Sequence, residues 1–385
     1  MHILFWLALI LITYTYLLYP VALLVLTAFR KPFLPRRRPA ATYGVEIYGV
    51  SIIVSAYNEE AVIEEKIKNC LDLDYPNEKL EIIIASDGSD DRTNEIVRGF
   101  SDKGVVLADY KARRGKAEAL NQTIPMAKNE IIVLSDANTA FRKDALKMLV
   151  RNFGDDMAGC VCGEMIFKSK RENKTGELEG FYWKYEVFLK RLEGRKGSLL
   201  GANGGIYAIR KKLFERIPSD TIIDDFVIPM KILEKGYRVV YEPEAIAYEE
   251  TAKSIIQEMA RRVRIGAGDF QSLVLTRKLL NPLRGFSAYA FWSHKVLRWF
   301  APFLLLGALF FNAFIVGEKL YLMIFMLQIG FYGLAFIGRL FSTSNIHIKT
   351  LGFFYYFVSM NIALMVGFFK FVSGSQSVMW KRTER

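Results

Sequence analysis

Four stretches of this chain carry no charged residue: 3–29, 301–317, 320–338 and 350–369. A helix needs about 20 apolar residues to cross a bilayer core. Inside lipid the backbone must satisfy its own hydrogen bonds, so such stretches read as membrane helices. Between them lies a polar block of about 250 residues, enough to bury a core of its own. A freely soluble enzyme is thereby excluded, and a membrane-held one is expected.

The formal net charge is +12, and the positive residues crowd the membrane edges. Arg30, Lys31, Arg36, Arg37 and Arg38 follow the first apolar stretch directly. That bias places the polar block in the cytoplasm. The reducing compartment suits Cys70, Cys160 and Cys162, too few for a disulfide framework. Nucleic acid is not expected as a partner, because the positive charge marks lipid boundaries; membrane lipids are. The first stretch is too long for a signal-peptide core and carries its charge on the far side. It reads as an uncleaved integral membrane anchor with Pro20 as a candidate kink.

The expected division is an N-terminal transmembrane helix at 1–29 and a basic linker at 30–44. A catalytic domain at 45–253 follows, then amphipathic interfacial helices at 254–300. Transmembrane segments at 301–372 and a basic tail at 373–385 complete the chain. With the polar block inside, three later spans would put the basic tail outside, against its charge. Either one segment is re-entrant or residues 283–316 divide differently.

Within the polar block, strands at 50–55, 80–85, 105–108 and 130–135 alternate with helical patterns at 59–71, 91–100, 114–127 and 142–152. This rhythm predicts an α/β fold with a parallel sheet covered by helices. Ligands of such sheets bind at the carboxyl ends of the strands. Three of those ends are polar: Ser55-Ala-Tyr-Asn-Glu-Glu60, Ser86-Asp-Gly-Ser-Asp-Asp91 and Ser135-Asp-Ala-Asn138. Asp90 is placed to cap the following helix. Neither a G-x-G-x-x-G turn nor a P-loop is present. His2, His294 and His347 lie at or beyond the edges of the block, so its acid–base chemistry falls to carboxylates.

The order of motifs resembles that of a membrane-bound, polysaccharide synthase-like, family-2 inverting glycosyltransferase. Ser55 to Glu60 matches the opening strand end, and Asp87 the first aspartate. Gly115-Lys-Ala-Glu-Ala-Leu-Asn121 matches G-K-x-x-A-L-N. Asp136-Ala-Asn138 takes the place of D-x-D, and Asp224-Asp225 the end of T-E-D. Arg261-Arg-Val-Arg264-Ile265 stands where the pattern has Q-x-x-R-W. The resemblance covers residues 50–270. It implies a GT-A, Rossmann-like mixed sheet flanked by transmembrane and amphipathic helices.

The same resemblance implies roles. Asp225 becomes the general base that takes the acceptor proton. Asn58, Glu59, Asp87, Lys116, Asp136, Arg261 and Arg264 become donor-binding. Asn203, Gly204 and Asp224 fall on the acceptor side. Asp136 and Asn138 become ligands of Mg²⁺ or Mn²⁺, hard ions that use few carboxylates and complete their shell with phosphates. An amide at 138 brings less charge than a second aspartate. Other roles fit some of these residues: Lys116 as a solvated loop charge, Asp224 and Asp225 as the favourable start of a helix, Arg261 and Arg262 as contacts to anionic lipid, and the 201–205 glycines as a turn. Trp380 and Thr383 echo a W-x-x-T tail, or anchor the chain at the interface.

The expected function is transfer of a sugar from a cytosolic nucleotide sugar, UDP-linked, to a lipid-linked or growing glycan acceptor. A processive polysaccharide synthase coupled to export is the enzymatic alternative. A non-catalytic nucleotide- or glycan-binding subunit of a membrane complex is the alternative of another class.

Overall fold

The computed structural model describes residues 1–28, 48–168, 175–250, 255–343, 348–377 and 379. The linker cations Arg30 to Arg38, His347, Trp380 and Thr383 lie outside the described residues.

The N-terminal helix α1 (His2–Ala28) includes a π-helical stretch at Tyr14–Leu18. Pro20 has no N–H to offer the carbonyl of Tyr16. The Tyr185 hydroxyl donates to that carbonyl at 3.1 Å. The kink expected at Pro20 is therefore a widened turn, tied to the polar block.

Every residue of strand β1 (Val50–Ala56) is buried, as happens when both faces of a sheet are covered. Ile52 and Val54 enter one core, and Ile53 the other. β2 (Leu80–Asp87) and β4 (Ile131–Asp136) flank β1 in parallel, with Val50 opposite both Leu80 and Ile131. β3 (Val105–Tyr110) lies outside β2, also parallel. The connecting helices are α2 (Ile63–Leu71), α3 (Thr93–Arg98), α4 (Lys116–Met126) and α5 (Ala145–Val150). They begin two to four residues later than periodicity suggests, because polar strand ends form turns first. Asp90 is not the cap of α3: Asp91 accepts the Thr93 amide at 2.9 Å, while Asp90 binds Asn58.

Beyond β4 the sheet becomes mixed. β7 (Tyr207–Arg210) runs antiparallel to β4, Leu134 facing Tyr207. The full order is β3-β2-β1-β4-β7-β6-β8-β5, with β5 at Ala140–Phe141, β6 at Ala158–Lys168 and β8 at Arg238–Glu250. The long helix α6 (Thr175–Gly194) and helix α7 (Asp224–Glu234) belong to this half.

Two amphipathic helices follow, α8 (Ile255–Leu275) and α9 (Phe286–Trp299). Their apolar residues Ala267, Phe270, Phe291 and Trp299 join the core beneath the sheet. Helix α10 (Ala301–Ala313) is bent by 60° from α9. Helices α11 (Lys319–Thr343) and α12 (Lys349–Val372) close the described chain. Among the described residues, three helices are long and apolar enough to cross a membrane, at 2–28, 319–341 and 350–372; the bent pair makes a fourth if counted as one span. That pair packs along α1. Tyr14 bonds Tyr289, Phe5 and Ala8 cluster with Ala308, and His2 meets Glu318 at 3.1 Å.

Gly266 of α8 and Gly367 of α12 meet backbone to backbone. A Cβ at Gly367 would stand 2.6 Å from the Ala267 nitrogen and 2.7 Å from the Gly266 carbonyl carbon. Only glycine permits this approach.

Candidate active site

Asp87 ends β2 in the core, 1% exposed. Its two oxygens accept the backbone amides of Arg114 and Gly115 at 2.8 and 2.9 Å. A buried carboxylate that accepts two amides is held rigidly, so it fixes the loop that opens α4. Lys116 is the first residue of that helix. It leans back over the sheet to Asp136 Oδ1 at 2.8 Å and Asp224 Oδ2 at 3.4 Å. Burial works against its charge, but Asp136, Asp224 and Asp225 outweigh it and hold the ammonium far above the ordinary lysine range. A solvated loop charge is therefore not what this lysine is.

Asp136 ends β4, and Asp224 and Asp225 start α7. Gly204 brings them together. A Cβ there would lie 2.9 Å from Asp225 Oδ2 and 3.4 Å from Asp136 Oδ2. Glycine leaves open the space into which both carboxylates turn. The loop is tied to the same helix: the Ala202 amide donates to the Asp225 carbonyl at 2.9 Å. Burial, then the Asp224 charge, raises the Asp225 carboxyl to about 6, with Lys116 pulling the other way. Neither aspartate side chain caps α7.

The other expected residues take different places. Asn58 sits at φ 54° and closes a two-way bridge with Asp90, donating from Nδ2 at 2.5 Å and accepting its amide at 3.0 Å. The Glu59 amide donates to Thr93 Oγ1 at 2.8 Å, joining the β1 and β2 ends. Arg264 donates to the Ile222 carbonyl at 3.3 Å within the field of Asp224, Asp225 and Asp136. Arg261 instead grips Glu258 with two bonds, at 2.9 and 3.2 Å. Asn203 is turned inward, donating to the Gly163 carbonyl at 2.7 Å and accepting from Lys190 at 2.5 Å. It holds the loop above the sheet.

Three features escaped the sequence reading. The Arg113 guanidinium lies 3.6 Å from the Tyr57 ring centroid, beside the β1 end. Lys66 is buried under the β4 end. Asp269 of α8 has its carboxyl pushed up to about 7, by burial first, near Lys295 and Arg298. Only Lys66 left a local signal: it shares the 63, 67, 70 face of its helix.

Among the described residues, no three acidic, imidazole or thiol groups cluster as a ready metal cage. The donor set nevertheless fits a hard ion that takes most of its shell from a diphosphate. Asp136 offers a half-exposed carboxylate beside the space over Gly204. Asn138 uses its amide nitrogen on Glu249 at 3.2 Å, which leaves its oxygen to coordinate.

Residues 51–217 match the family model described as glycosyl transferase family 2. Over those residues the chain carries a glycosyl transferase family 2 domain, which indicates a glycosyltransferase. Poly-beta-1,6-N-acetyl-D-glucosamine synthase of Staphylococcus aureus is 29% identical over 235 residues, covering 60% of this chain and 56% of that one. Its Staphylococcus epidermidis counterpart is 28% identical over 247 residues, covering 61% and 59%. The chain thus spans little more than half the length of these curated relatives. Among solved structures, a Pyrobaculum calidifontis mannosyltransferase in complex with GDP-Man and Mn²⁺ aligns with a TM-score of 0.71. It is 23% identical and covers 97% of this chain and 100% of its own, which establishes the shared GT-A fold.

Proposed function

We propose that the protein is a membrane-embedded, inverting glycosyltransferase that takes a sugar from a cytosolic UDP-sugar to a lipid-linked or growing glycan acceptor. One observation carries this reading: Asp136, Asp224 and Asp225, distant in sequence, gather on Lys116 around the space over Gly204. Binding alone has no need for a carboxyl raised to about 6 next to two others.

In the proposed reaction the acceptor oxygen attacks C1 of the sugar from the face opposite the diphosphate. The new C1–O bond forms as the bond to the diphosphate oxygen breaks, inverting C1. Asp225 receives the acceptor's proton, and its raised value suits a base at neutral pH. Asp224 keeps it high. Lys116 stands between donor and acceptor sides as a fixed positive charge toward the departing diphosphate, and Arg264 adds a second. A divalent ion on Asp136 and the Asn138 oxygen, when bound, supplies Lewis-acid charge to the same leaving group. Asp87 keeps the Lys116 loop in place throughout.

A processive polysaccharide synthase is the second reading. The names of the curated relatives favour it, and the Ile265 departure from Q-x-x-R-W weighs against it. Product length with a radiolabelled donor separates the two: one added sugar speaks for single transfer, a ladder for processivity. The primary test is nucleotide release by the full chain in detergent across UDP- and GDP-sugars, with Mn²⁺, Mg²⁺ or chelator. Ion-dependent UDP release is expected. Preference for a GDP-sugar overturns the donor assignment, and no release from any donor overturns the reading.

A further inference from the structure

Lys66 is 3% exposed, on the face of α2 that also buries Ile63, Ile67 and Cys70. An ammonium in such a place is costly unless its donors are used. Its contacts are neutral: Ser135 Oγ at 2.7 Å, the Thr139 carbonyl at 2.7 Å, Thr139 Oγ1 at 3.4 Å and the Phe141 ring, whose centroid is 4.1 Å away. No acidic group lies within ion-pair distance of it among the described residues. Three donors meet three acceptors, the complement of a charged amine.

The acceptors are chosen by place. Ser135 and Thr139 bracket Asp136-Ala-Asn138. Each hydroxyl has one proton. With Lys66 donating to both, Ser135 is left to donate to the Gly205 carbonyl and Thr139 to that of Asp136, at 2.9 Å each. Gly205 adjoins Gly204, the glycine over which Asp136 and Asp225 converge. One turn further along α2, Asn69 exchanges two bonds with the Phe141 backbone, at 2.9 and 2.7 Å. Helix α2 thus grips the segment after β4 twice, and through Ser135 reaches the 203–205 loop.

We infer that Lys66 is a positioning residue that locks the Asp136 turn to the Gly205 loop, setting the spacing between the donor-side and acceptor-side carboxylates. This rests on the transferase reading for its catalytic consequence, and on geometry alone for the lock. An apolar side chain of similar length would be easier to bury, so a merely structural lysine would be replaceable without loss. A lysine kept to orient two hydroxyls would not.

The test is Lys66→Met in the full chain, read three ways. Melting temperature is expected to hold or rise. Hydrogen exchange is expected to quicken about tenfold in both 136–139 and 203–206. Turnover is expected to fall about 10- to 100-fold, the scale of a small misplacement of reacting groups, with UDP affinity changed by less than about threefold. Unchanged exchange in either segment overturns the lock, whatever the turnover; quickened exchange with normal turnover overturns the catalytic role. Should Lys66→Met fail to fold, Ser135→Ala removes one acceptor of Lys66 together with the shorter bond to Gly205, leaving Thr139 Oγ1 at 3.2 Å from that carbonyl, and must quicken exchange at 203–206 for the lock to stand. If the unaltered enzyme turns over no donor, the transferase reading fails while exchange still judges the lock.

Discussion

The two halves of the sheet hold their functional groups by different means. In the parallel half, the β1 and β2 ends are fastened by hydrogen bonds among neighbouring groups, while the β4 end joins the charged cluster through Asp136 and Lys116. Asp87 takes two amides, and Asn58 and Asp90 bridge each other. In the mixed half, charges meet charges: Asp224 and Asp225 crowd each other, and Lys116 crosses from the parallel half to hold them. Hydrogen bonds to neighbouring groups give a side chain a fixed place. Opposed charges in a buried space shift protonation instead. On the proposed reading, the β1 and β2 ends hold the donor, and the carboxylates around Lys116 move the proton.

The sharpest way to break this contrast is Asp225→Asn. Turnover should fall about 10²- to 10⁴-fold, the usual share of a general base, with UDP affinity retained by calorimetry. The same variant should be more thermostable than wild type at pH 7–8. The sign follows from the direction of the shift. A carboxyl raised to about 6 in the folded state stabilises the fold below about pH 4, the unfolded value, and loses that contribution as pH rises through 6. The amide never ionises, so it escapes the loss.

Asp87→Ala tests the other half. Removing a charged acceptor from two amides should weaken donor binding about 10- to 100-fold, seen in KM more than kcat. A kcat effect of equal size would erase the division proposed between the halves. A gentler probe is the pH profile. Wild-type kcat should climb through about pH 6 as Asp225 ionises. Asp224→Asn should move that limb to lower pH, and Lys116→Met to higher pH, since one neighbour raises the group and the other lowers it. The smallest effect belongs to Arg261→Ala, about threefold or less, because Arg261 already serves Glu258. Arg264→Ala, inside the carboxylate field, should exceed it.

The same division explains how much could be read beforehand. Parallel βα units are local, and β1, β2 and β4 with Asp87 and Asp136 at their ends were visible in hydrophobic alternation alone. The antiparallel strands were not: β7 joins β4 across some seventy residues. Asp224 and Asp225 were found by motif order, whereas their convergence over Gly204 needed the fold. Asn203 was expected to face the acceptor, but Lys190 and Gly163 turn it inward, a contact no local pattern encodes. Asp90 looked like the cap of the helix that follows, but it bridges Asn58, and Asp91 takes the Thr93 amide. Lys66 is the instructive miss, since its 63, 66, 67, 70 spacing put a charge on an apolar stripe in plain view.

The seam between Gly266 and Gly367 has a mechanical consequence. A lipid-facing helix and the helix that presents Arg264 touch with no side chain as cushion. A methyl at Gly367 would stand within 2.8 Å of three backbone atoms of α8 and force the helices apart, whereas one at Gly266 would meet Leu364 at 3.2 Å, a milder crowding. On the proposed membrane reading, a push on this helix from the lipid side reaches the helix that carries Arg264 with nothing soft between them.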